Sequence, residues 1–436
     1  MRAQSLALVA GMALSLSGCN SMAAGSGASR GDLGLLDDAM RQVQQSYVVP
    51  VKPDQLMDGA LKGMLTRLDP HSDYMTEREY RDLISTTSGQ FGGVGIEISV
   101  EEGVPQVISA IEGTPAASAG IEPGDRIVKA DGQPIVGLDI EDVVKRLRGV
   151  PGSRVVLTIA RANQAAFDVP ITRAIIHVDS VKSALQAGRV GYVRISTFDE
   201  NTANELRAAV ARMRQQAGGT FAGFVLDLRN DAGGLLDAAV EVSADFLDSG
   251  TIVTTKGRER DENRVYEAPP NGDLIRGVPM VVLINGASAS ASEIVAGALQ
   301  DDHRATVLGT HSFGKGSVQS IIPLEGGHGA LRLTTALYYT PSGGSIQGHG
   351  ITPNRVIDVP KDEQVANAVV TYESDLFGSI KPTGNLAPAN ASSPAAARAL
   401  PQAVDHPMNP KIIGTPQDAQ LNAALEYLGA RRAAAR

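Results

Sequence analysis

The chain has 436 residues, of which 43% are hydrophobic and 20% are charged, and its formal net charge at pH 7 is −9. This balance is typical of a globular protein with room for about three domains. A negative net charge without a long basic block argues against nucleic acid as a partner, and the short basic tail RRAAAR is too small to change that. The single cysteine, Cys19, excludes a disulfide bond within the chain.

Residues 1–19 are typical of an export signal. Arg2 precedes an apolar run from Leu6 to Leu16, and small polar residues follow Cys19. The apolar run is too short to span a membrane. The tetrad Leu-Ser-Gly-Cys at 16–19 resembles a bacterial lipobox, which implies a lipid on Cys19 and an anchor in the cell envelope.

Two details of the export signal remain open. An ordinary signal peptide cut near Ala23 or Ala24 is the alternative, and it would leave Cys19 in the discarded part. Asn20 after the cysteine favours the outer membrane if the host is Gram-negative. In both cases the protein leaves the cytoplasm and is expected in the periplasm.

The next two segments differ in composition and in the spacing of their apolar residues. Residues 20–31 are small and polar, which predicts a flexible tether. Residues 32–87 carry apolar side chains at helical spacing, in LLDDAMRQVQQSYV and LMDGALKGMLTRL, so the sequence predicts a small helical segment.

Residues 88–172 alternate short strands with turn signals, interrupted by one amphipathic helix, DIEDVVKRL. With the stretch TPAASAGIEPGDRIVKADGQPI, this region resembles a PDZ domain of the bacterial protease type. A glycine-rich loop before a strand can bind a peptide carboxylate while the peptide adds as a further strand. The glycines can equally serve a turn, since GGVG alone is a weak signal. The predicted peptide-binding residues are Gly92, Gly93, Val94, Gly95 and Ile96.

Residues 173–360 alternate strands with helices, which predicts a partly parallel sheet with helices packed on it. Residues 361–414 are rich in Pro and Ala and are predicted to be a linker. Residues 415–436 are predicted to form a last helix that starts at Thr415, with Pro416 in its first turn and three leucines on one face.

Two loops of the 173–360 region lead from a strand into a helix, DLRNDAGGLL at 227–236 and NGASASASEI at 285–294. Gly233 and Gly234 permit a turn that aims amide hydrogens outward, which suits a negative oxygen. The second loop offers serines at 288, 290 and 292. Ser290 has two interpretations, because Ser290 and Glu293 also fit a helix capping box.

Lys315 lies in GTHSFGKGS, which at first sight looks like a phosphate-binding loop. The residue after the lysine is Gly316 instead of Ser or Thr, and the following SVQSIIPL predicts a strand instead of a helix, so a nucleotide site is not expected. Lys315 can instead be the base that activates a serine, provided that desolvation lowers its pKa. The alternatives are a solvated loop lysine and a Ser/His/Asp triad that uses His303 or His311.

These motifs together resemble the carboxy-terminal processing (tail-specific) serine proteases over roughly residues 33–360. The resemblance is carried by LDPHSDYM, the PDZ segment, DLRNDAGGLL, SASASEIVAGALQD, SFGKGSVQ and GGSIQGHGITPN. It implies Ser290 as nucleophile, Lys315 as general base and Gln319 as the residue that orients the lysine.

The resemblance also implies that the amides of Gly234 and Ala291 form an oxyanion hole. The family usually has Asn-Pro where this chain has Asp231 and Ala232. Because proline donates no hydrogen bond, alanine is expected to loosen this loop without removing its donors.

We therefore expect an α/β and α+β multidomain protein with an N-terminal helical segment, a PDZ domain and a protease core of mixed sheet with flanking helices. The expected activity is an exported serine endopeptidase that acts on the C-terminal tails of unfolded or tagged envelope proteins. No metal or cofactor is expected, and an adaptor or a second copy of the chain is a possible partner. A peptide-binding scaffold with an inactive catalytic half is the alternative from another functional class.

Overall fold

A computed structural model describes residues 30–101, 103–162, 164–365, 369–381 and 407–434. The chain divides into two compact units, one up to Ala60 and one from Leu61 onward. Cys19 and nearly all of the predicted tether lie outside the described residues. Within the described part, no helix is long and apolar enough to cross a bilayer.

The N-terminal segment is helical, as predicted. The capping box at Thr76 begins the third helix: the Thr76 hydroxyl accepts the Glu79 amide, and the Glu79 carboxylate accepts the Thr76 amide. The elements are α1 (Arg30–Ser46), α2 (Pro53–Leu65), a short strand β1 (Asp73–Met75) and α3 (Glu77–Thr87).

A separate antiparallel sheet with its own apolar core follows. Its strands run in the order β3-β4-β5-β7-β8, so β3 lies at an edge, and β2 pairs outside this sheet with β9. The elements are β2 (Gln90–Gly93), β3 (Ile96–Glu101), β4 (Val104–Ala110), α4 (Pro115–Ser118), β5 (Arg126–Ala130), β6 (Gln133–Pro134), α5 (Ile140–Leu147), β7 (Arg154–Ala160), β8 (Phe167–Thr172) and β9 (Ala174–His177).

The remaining elements build a second domain around two further sheets. They are β10 (Val181–Gln186), β11 (Val190–Ile195), α6 (Thr202–Gln216), β12 (Gly223–Asp227), α7 (Leu236–Ala244), β13 (Gly250–Gly257), β14 (Arg264–Ala268), β15 (Met280–Ile284), α8 (Ala291–Asp301), β16 (Thr306–Gly309), β17 (Ser317–Pro323), β18 (Ala330–Tyr339), β19 (Arg355–Val356) and α9 (Ala419–Ala434).

The central sheet has the order β10-β11-β12-β15-β16-β19, and it is parallel except for the β10–β11 pair. Its middle strands, GFVLD and MVVLI, are buried on both faces, as continuous apolar runs predict. Phe224 and Leu226 pack in the cluster with helices α6, α7 and α8, whereas Val225 packs in the cluster with α9. The second sheet contains β1, β13, β14, β17 and β18.

Because β12 and β15 are parallel neighbours, with Asp227 paired to Leu283, the loops that follow them start side by side. The first loop, residues 228–235, is called here the glycine-pair loop, and the second, residues 285–290, the serine turn. Functional loops of parallel sheets gather at this end of the strands. The mixed-sheet core and the helical and antiparallel segments confirm the predicted fold class.

The last helix begins at Ala419, four residues after the predicted start at Thr415. The Asp418 carboxylate accepts the Leu421 amide at 2.9 Å, so Asp418 caps the helix and the proline signal at 416 precedes it. As predicted, one leucine face is buried, against β12 and β15, with Leu421, Leu425 and Leu428 in a shared cluster.

The predicted linker, residues 361–414, includes residues that belong to the folded core. Gln364 forms a β-bridge with Met408, and Glu373 is fully buried. Side-chain hydrogen bonds hold these residues on the core, and a composition rich in Pro and Ala does not reveal them.

Candidate active site

The serine turn holds Ser290 in a conformation that non-glycine residues rarely adopt, with φ 55° and ψ −111°. Its side chain is mostly buried, with 8% of the residue exposed. Such backbone strain costs on the order of 1–3 kcal/mol and persists only where the surrounding contacts impose it. Ser290 directly precedes α8, whose first amide, that of Ala291, has no acceptor within the helix.

The two neighbouring serines have structural contacts. The Ser288 hydroxyl accepts the Asn285 amide at 2.9 Å and donates to the Leu228 carbonyl at 2.8 Å. The Ser292 hydroxyl donates to the Asp231 carbonyl at 3.1 Å. These contacts tie the serine turn and the first turn of α8 to the glycine-pair loop, whereas the Ser290 hydroxyl makes no such contact.

The capping-box arrangement is present at Ser290 and Glu293, but the Ser290 side chain makes no capping hydrogen bond. The Glu293 amide donates to the Ser290 carbonyl at 2.9 Å, and the Glu293 carboxylate accepts the Ser290 amide at 2.8 Å. The Ser290 carbonyl and the Glu293 carboxylate thus do the capping, and the hydroxyl of Ser290 is not needed for it.

The glycine-pair loop packs against the serine turn so closely that side chains are excluded. A Cβ on Gly233 would lie 2.9 Å from the Cβ of Ser290, and a Cβ on Gly234 would lie 2.0 Å from the carbonyl oxygen of Phe198. Gly234 pairs with Phe198 through the Gly233 carbonyl and the Leu235 amide. In a parallel bridge of this kind, the Gly234 amide points away from Phe198.

Glu293 joins the serine turn to residues 310–316, called here the lysine loop. One carboxylate oxygen, Oε2, accepts both the Ser290 amide at 2.8 Å and the Lys315 amide at 2.9 Å. The other, Oε1, accepts the Gly314 amide at 2.7 Å and the Ser312 hydroxyl at 2.5 Å. Burial raises the pKa of Glu293 to about 7, and these four donors act to lower it.

Lys315 is placed where its amine can lose a proton more easily than in water. Burial lowers its pKa below the ordinary value, and the positive charge of Arg332 lowers it further. Three carboxylates act in the opposite direction, those of Glu373, Glu293 and Asp69. A strand, β17, follows the lysine loop, as the apolar stretch SVQSIIPL predicted.

Gln319 lies in β17 and shares a strand face with Ser317. Its amide nitrogen donates to the Ser317 hydroxyl at 3.0 Å and to the Thr334 hydroxyl at 3.2 Å. Thr334 in turn donates to the Asp69 carboxylate at 3.1 Å, which connects β17 to the LDPHSDYM motif. The role of Gln319 in orienting the lysine stays a prediction.

A chain of hydrogen bonds reaches the backbone of the lysine loop from distant parts of the sequence. His71 Nε2 lies 2.7 Å from Glu373 Oε2, and Gln347 Nε2 donates to Glu373 Oε1 at 2.8 Å. Gln347 Oε1 accepts the Gly316 amide at 3.0 Å. His71 and Gln347 lie in motifs that carry the family resemblance, but the sequence predicts no role for either residue, and it predicts a linker around Glu373.

Of the two histidines in the triad hypothesis, His311 belongs to the lysine loop, whereas His303 lies beyond the end of α8. His303 is exposed and follows the C-terminal end of α8, an 11-residue helix. With a rise of about 1.5 Å per residue, it is roughly 16 Å or more from Ser290 at the other end. His311 packs near the ring of Tyr372, and its Nδ1 lies 3.4 Å from the Thr352 hydroxyl. In the described part of the chain, no group of three or more His, Cys, Asp or Glu side chains could hold a metal ion.

The predicted peptide-binding segment is split between two elements. Gly92 and Gly93 pair with β9 within β2, so they are not part of an open loop. Gly95, with φ 81°, lies so close to Thr114 that a Cβ added to Gly95 would be 2.3 Å from the Cβ of Thr114. The carbonyl oxygens of Val94 and Gly95 accept hydrogen bonds from within the same domain. Ile96 begins β3, the edge strand of the antiparallel sheet.

Three family models match this chain. Residues 189–357 match peptidase family S41, residues 106–161 match the PDZ domain, and residues 10–79 match the N-terminal domain of the activating protease CtpB. The S41 match contains Ser290 and Lys315, and the PDZ match contains most of the antiparallel domain.

Individual proteins are similar over most of their length. The carboxy-terminal-processing protease of Bartonella bacilliformis is 48% identical over 347 residues, which cover 79% of each chain. The carboxy-terminal processing protease CtpA of Bacillus subtilis is 32% identical over 83% of this chain and 78% of its own. Among solved structures, the photosystem II D1 C-terminal processing protease is 29% identical, with a TM-score of 0.45, over 74% of this chain and 92% of that chain.

Proposed function

Because the chain belongs to the carboxy-terminal processing proteases of peptidase family S41, serine-type peptidases with a PDZ domain, we propose that it cleaves with Ser290 as nucleophile and Lys315 as general base. The observation that carries this proposal is the Glu293 carboxylate, one oxygen of which accepts the backbone amides of both residues. The two turns are thereby held next to each other, whereas the exposed His303 is at the far end of α8.

The proposed chemistry uses these residues in a two-step cycle. Neutral Lys315 Nζ takes the proton of Ser290 Oγ as this oxygen bonds to the carbonyl carbon of the scissile peptide. The amides of Gly234 and Ala291 stabilise the negative oxygen that forms, and the lysine then gives its proton to the departing amine. Water, deprotonated by the same lysine, releases the acyl group from Ser290 and regenerates the enzyme.

The strained turn and the buried lysine each support a part of this cycle. The strain at Ser290 is not needed for helix capping, since the hydroxyl makes no capping bond. Burial of Lys315 disfavours its charged form and so favours the neutral amine that a general base requires. Gln319, two residues after Ser317 on the same strand face, is the proposed positioning residue for the lysine.

Two variants test whether the protein is an enzyme or a peptide-binding scaffold with an inactive catalytic half. Ser290→Ala and Lys315→Arg should each remove cleavage of an unfolded tailed substrate, followed by mass spectrometry of the fragments. His303→Ala is the matched control and should leave substantial activity. A cleavage rate that persists in Ser290→Ala would contradict the proposed nucleophile.

The proposed substrates are the free C-terminal tails of unfolded or tagged envelope proteins, captured by the PDZ domain. The edge strand β3 can pair with an added peptide strand, and the segment from Val94 to Ile96 leads into it. Backbone amides of this segment are the proposed donors to the carboxylate, since its carbonyl oxygens at Val94 and Gly95 accept hydrogen bonds within the domain.

Carboxylate capture is tested with peptide pairs that differ only at the C-terminus, one with a free acid and one amidated. The inactive Ser290→Ala protein is used to measure Kd, and the unaltered protein to measure kcat/KM. The free acids should bind and be cut at least tenfold better, because amidation removes the charge that the amides recognise. Equal values for both members of each pair would contradict tail capture.

We further propose that the protein is exported and anchored through a lipid on Cys19, on the strength of the lipobox-like tetrad. Since Cys19 is the only cysteine, Cys19→Ser should abolish incorporation of labelled fatty acid and release the protein from the membrane fraction. Unchanged labelling and membrane partition would contradict the anchor. An adaptor or a second copy of the chain as partner stays a prediction.

A further inference from the structure

A fully buried carboxyl group, that of Asp231, lies in the glycine-pair loop and has no part in the cycle described above. Its Oδ1 accepts the Gly233 amide at 2.8 Å, and its Oδ2 has no hydrogen-bond partner among the described residues. Its backbone carbonyl accepts the Ala289 amide at 2.9 Å and the Ser292 hydroxyl. Asp231 therefore bridges the two loops whose amides would hold the oxyanion.

The surroundings favour the protonated form of this side chain. A buried carboxylate oxygen without a partner loses its hydration and gains nothing in return, whereas a neutral carboxyl group avoids most of this cost. Burial raises the pKa of Asp231 to about 7, although the Gly233 amide and the positive charge of Arg194 on β11 act to lower it.

The other charged groups on the neighbouring elements have partners of their own. The Glu293 carboxylate, on α8, accepts amides of the lysine loop. Asp227 and Arg229, at the end of β12, pair with each other, and Asp199, after β11, accepts the Asn201 amide. None of these groups donates to the unpartnered Oδ2 of Asp231.

We propose that Asp231 is a positioning residue that must carry its proton during catalysis, and that its ionisation sets the upper pH limit of turnover. This inference rests on the proposed serine/lysine mechanism. An ionised Asp231 would place a second negative charge beside the one that develops on the substrate, and charges repel strongly in a buried site. Turnover then requires a neutral lysine and a neutral aspartic acid, so the rate rises and afterwards falls with pH.

The first test compares pH profiles of kcat/KM for the unaltered protein and Asp231→Asn, each normalised to its own maximum. The isosteric amide cannot ionise, so the variant should lose the descending limb, while the unaltered protein should fall on the order of tenfold or more at high pH. The same descending limb in both proteins would overturn the proposal. If the unaltered protein lacks the ascending limb, the lysine base is contradicted instead.

The second test needs no turnover and uses the inactive Ser290→Ala background. Since the folded-state pKa of Asp231 is raised from 3.8 to about 7, its stabilising contribution is present below about pH 4 and is lost as the pH rises through 7. In urea unfolding, the protein with Asn at position 231 should therefore have the higher free energy of unfolding. Its difference from the protein with Asp should grow between pH 4 and 7 and stay constant above pH 7. A difference independent of pH would show that Asp231 is already ionised, and the proposal would fail while the serine/lysine mechanism stands.

Discussion

Replacing Ser290 separates its two interpretations, because a helix cap and a nucleophile predict different stabilities. Removing a capping hydroxyl costs about 1 kcal/mol. The Ser290 hydroxyl makes no capping bond, so Ser290→Ala should change the free energy of unfolding by less than about 0.5 kcal/mol. Ser290→Gly should stabilise the protein by about 1 kcal/mol, since glycine relieves the strain at φ 55°.

Thr76 supplies the matched control, because its hydroxyl does accept the Glu79 amide in a capping box. Thr76→Ala should cost about 1 kcal/mol and leave turnover intact. The chain contains no tryptophan, so urea unfolding is best followed by far-UV circular dichroism. If Ser290→Ala loses as much stability as Thr76→Ala, or if either Ser290 variant keeps its activity, the reasoning is refuted.

Three further substitutions test the supporting contacts. Gly234→Ala places a Cβ 2.0 Å from the Phe198 carbonyl oxygen, so the backbone must move and displace the amide of residue 234. This displacement should lower kcat about a hundredfold in a steady-state assay. An unchanged kcat would show that this amide is not part of the oxyanion hole. Asp418→Ala removes one of the two carboxylates that pair with the buried Arg229 and should cost about 1.5–3 kcal/mol in urea unfolding. A loss below about 0.5 kcal/mol would contradict a structural role for the last helix. Glu373→Ala should lower kcat roughly tenfold or more by releasing the lysine loop, and unaltered kinetics would show that the loop holds itself.

The parts of the site that the sequence predicted are those with a local signal. A glycine pair after an apolar strand indicated a sharp turn, and both glycines do lie too close to neighbouring backbone for a side chain. Ser290 lies in a loop that leads from a predicted strand into a helix, and Lys315 lies in the glycine-rich stretch GTHSFGKGS. The alternation of strands and helices predicted a partly parallel sheet, and in such a sheet the loops after β12 and β15 lie at the same edge.

The missed residues act through contacts between distant parts of the chain. Glu293 fits a capping box in sequence, and only the fold shows that its carboxylate also holds the lysine loop. Glu373 lies in a segment whose composition predicted a linker, yet it is buried with His71, some 300 residues earlier, as its partner. Pro416 marked a helix start, but Asp418 caps the helix two residues later, since its carboxylate accepts the Leu421 amide.

The central claim, that Lys315 activates Ser290, is tested most directly by the rate at which a fluorophosphonate modifies the protein, measured against pH and located by peptide mass spectrometry. Modification is expected at Ser290, with a rate that rises as the pH passes through the lowered pKa of Lys315. The reaction should be lost in Lys315→Arg, whose guanidinium stays charged. Modification at another residue, or an unchanged rate in Lys315→Arg, would contradict the claim.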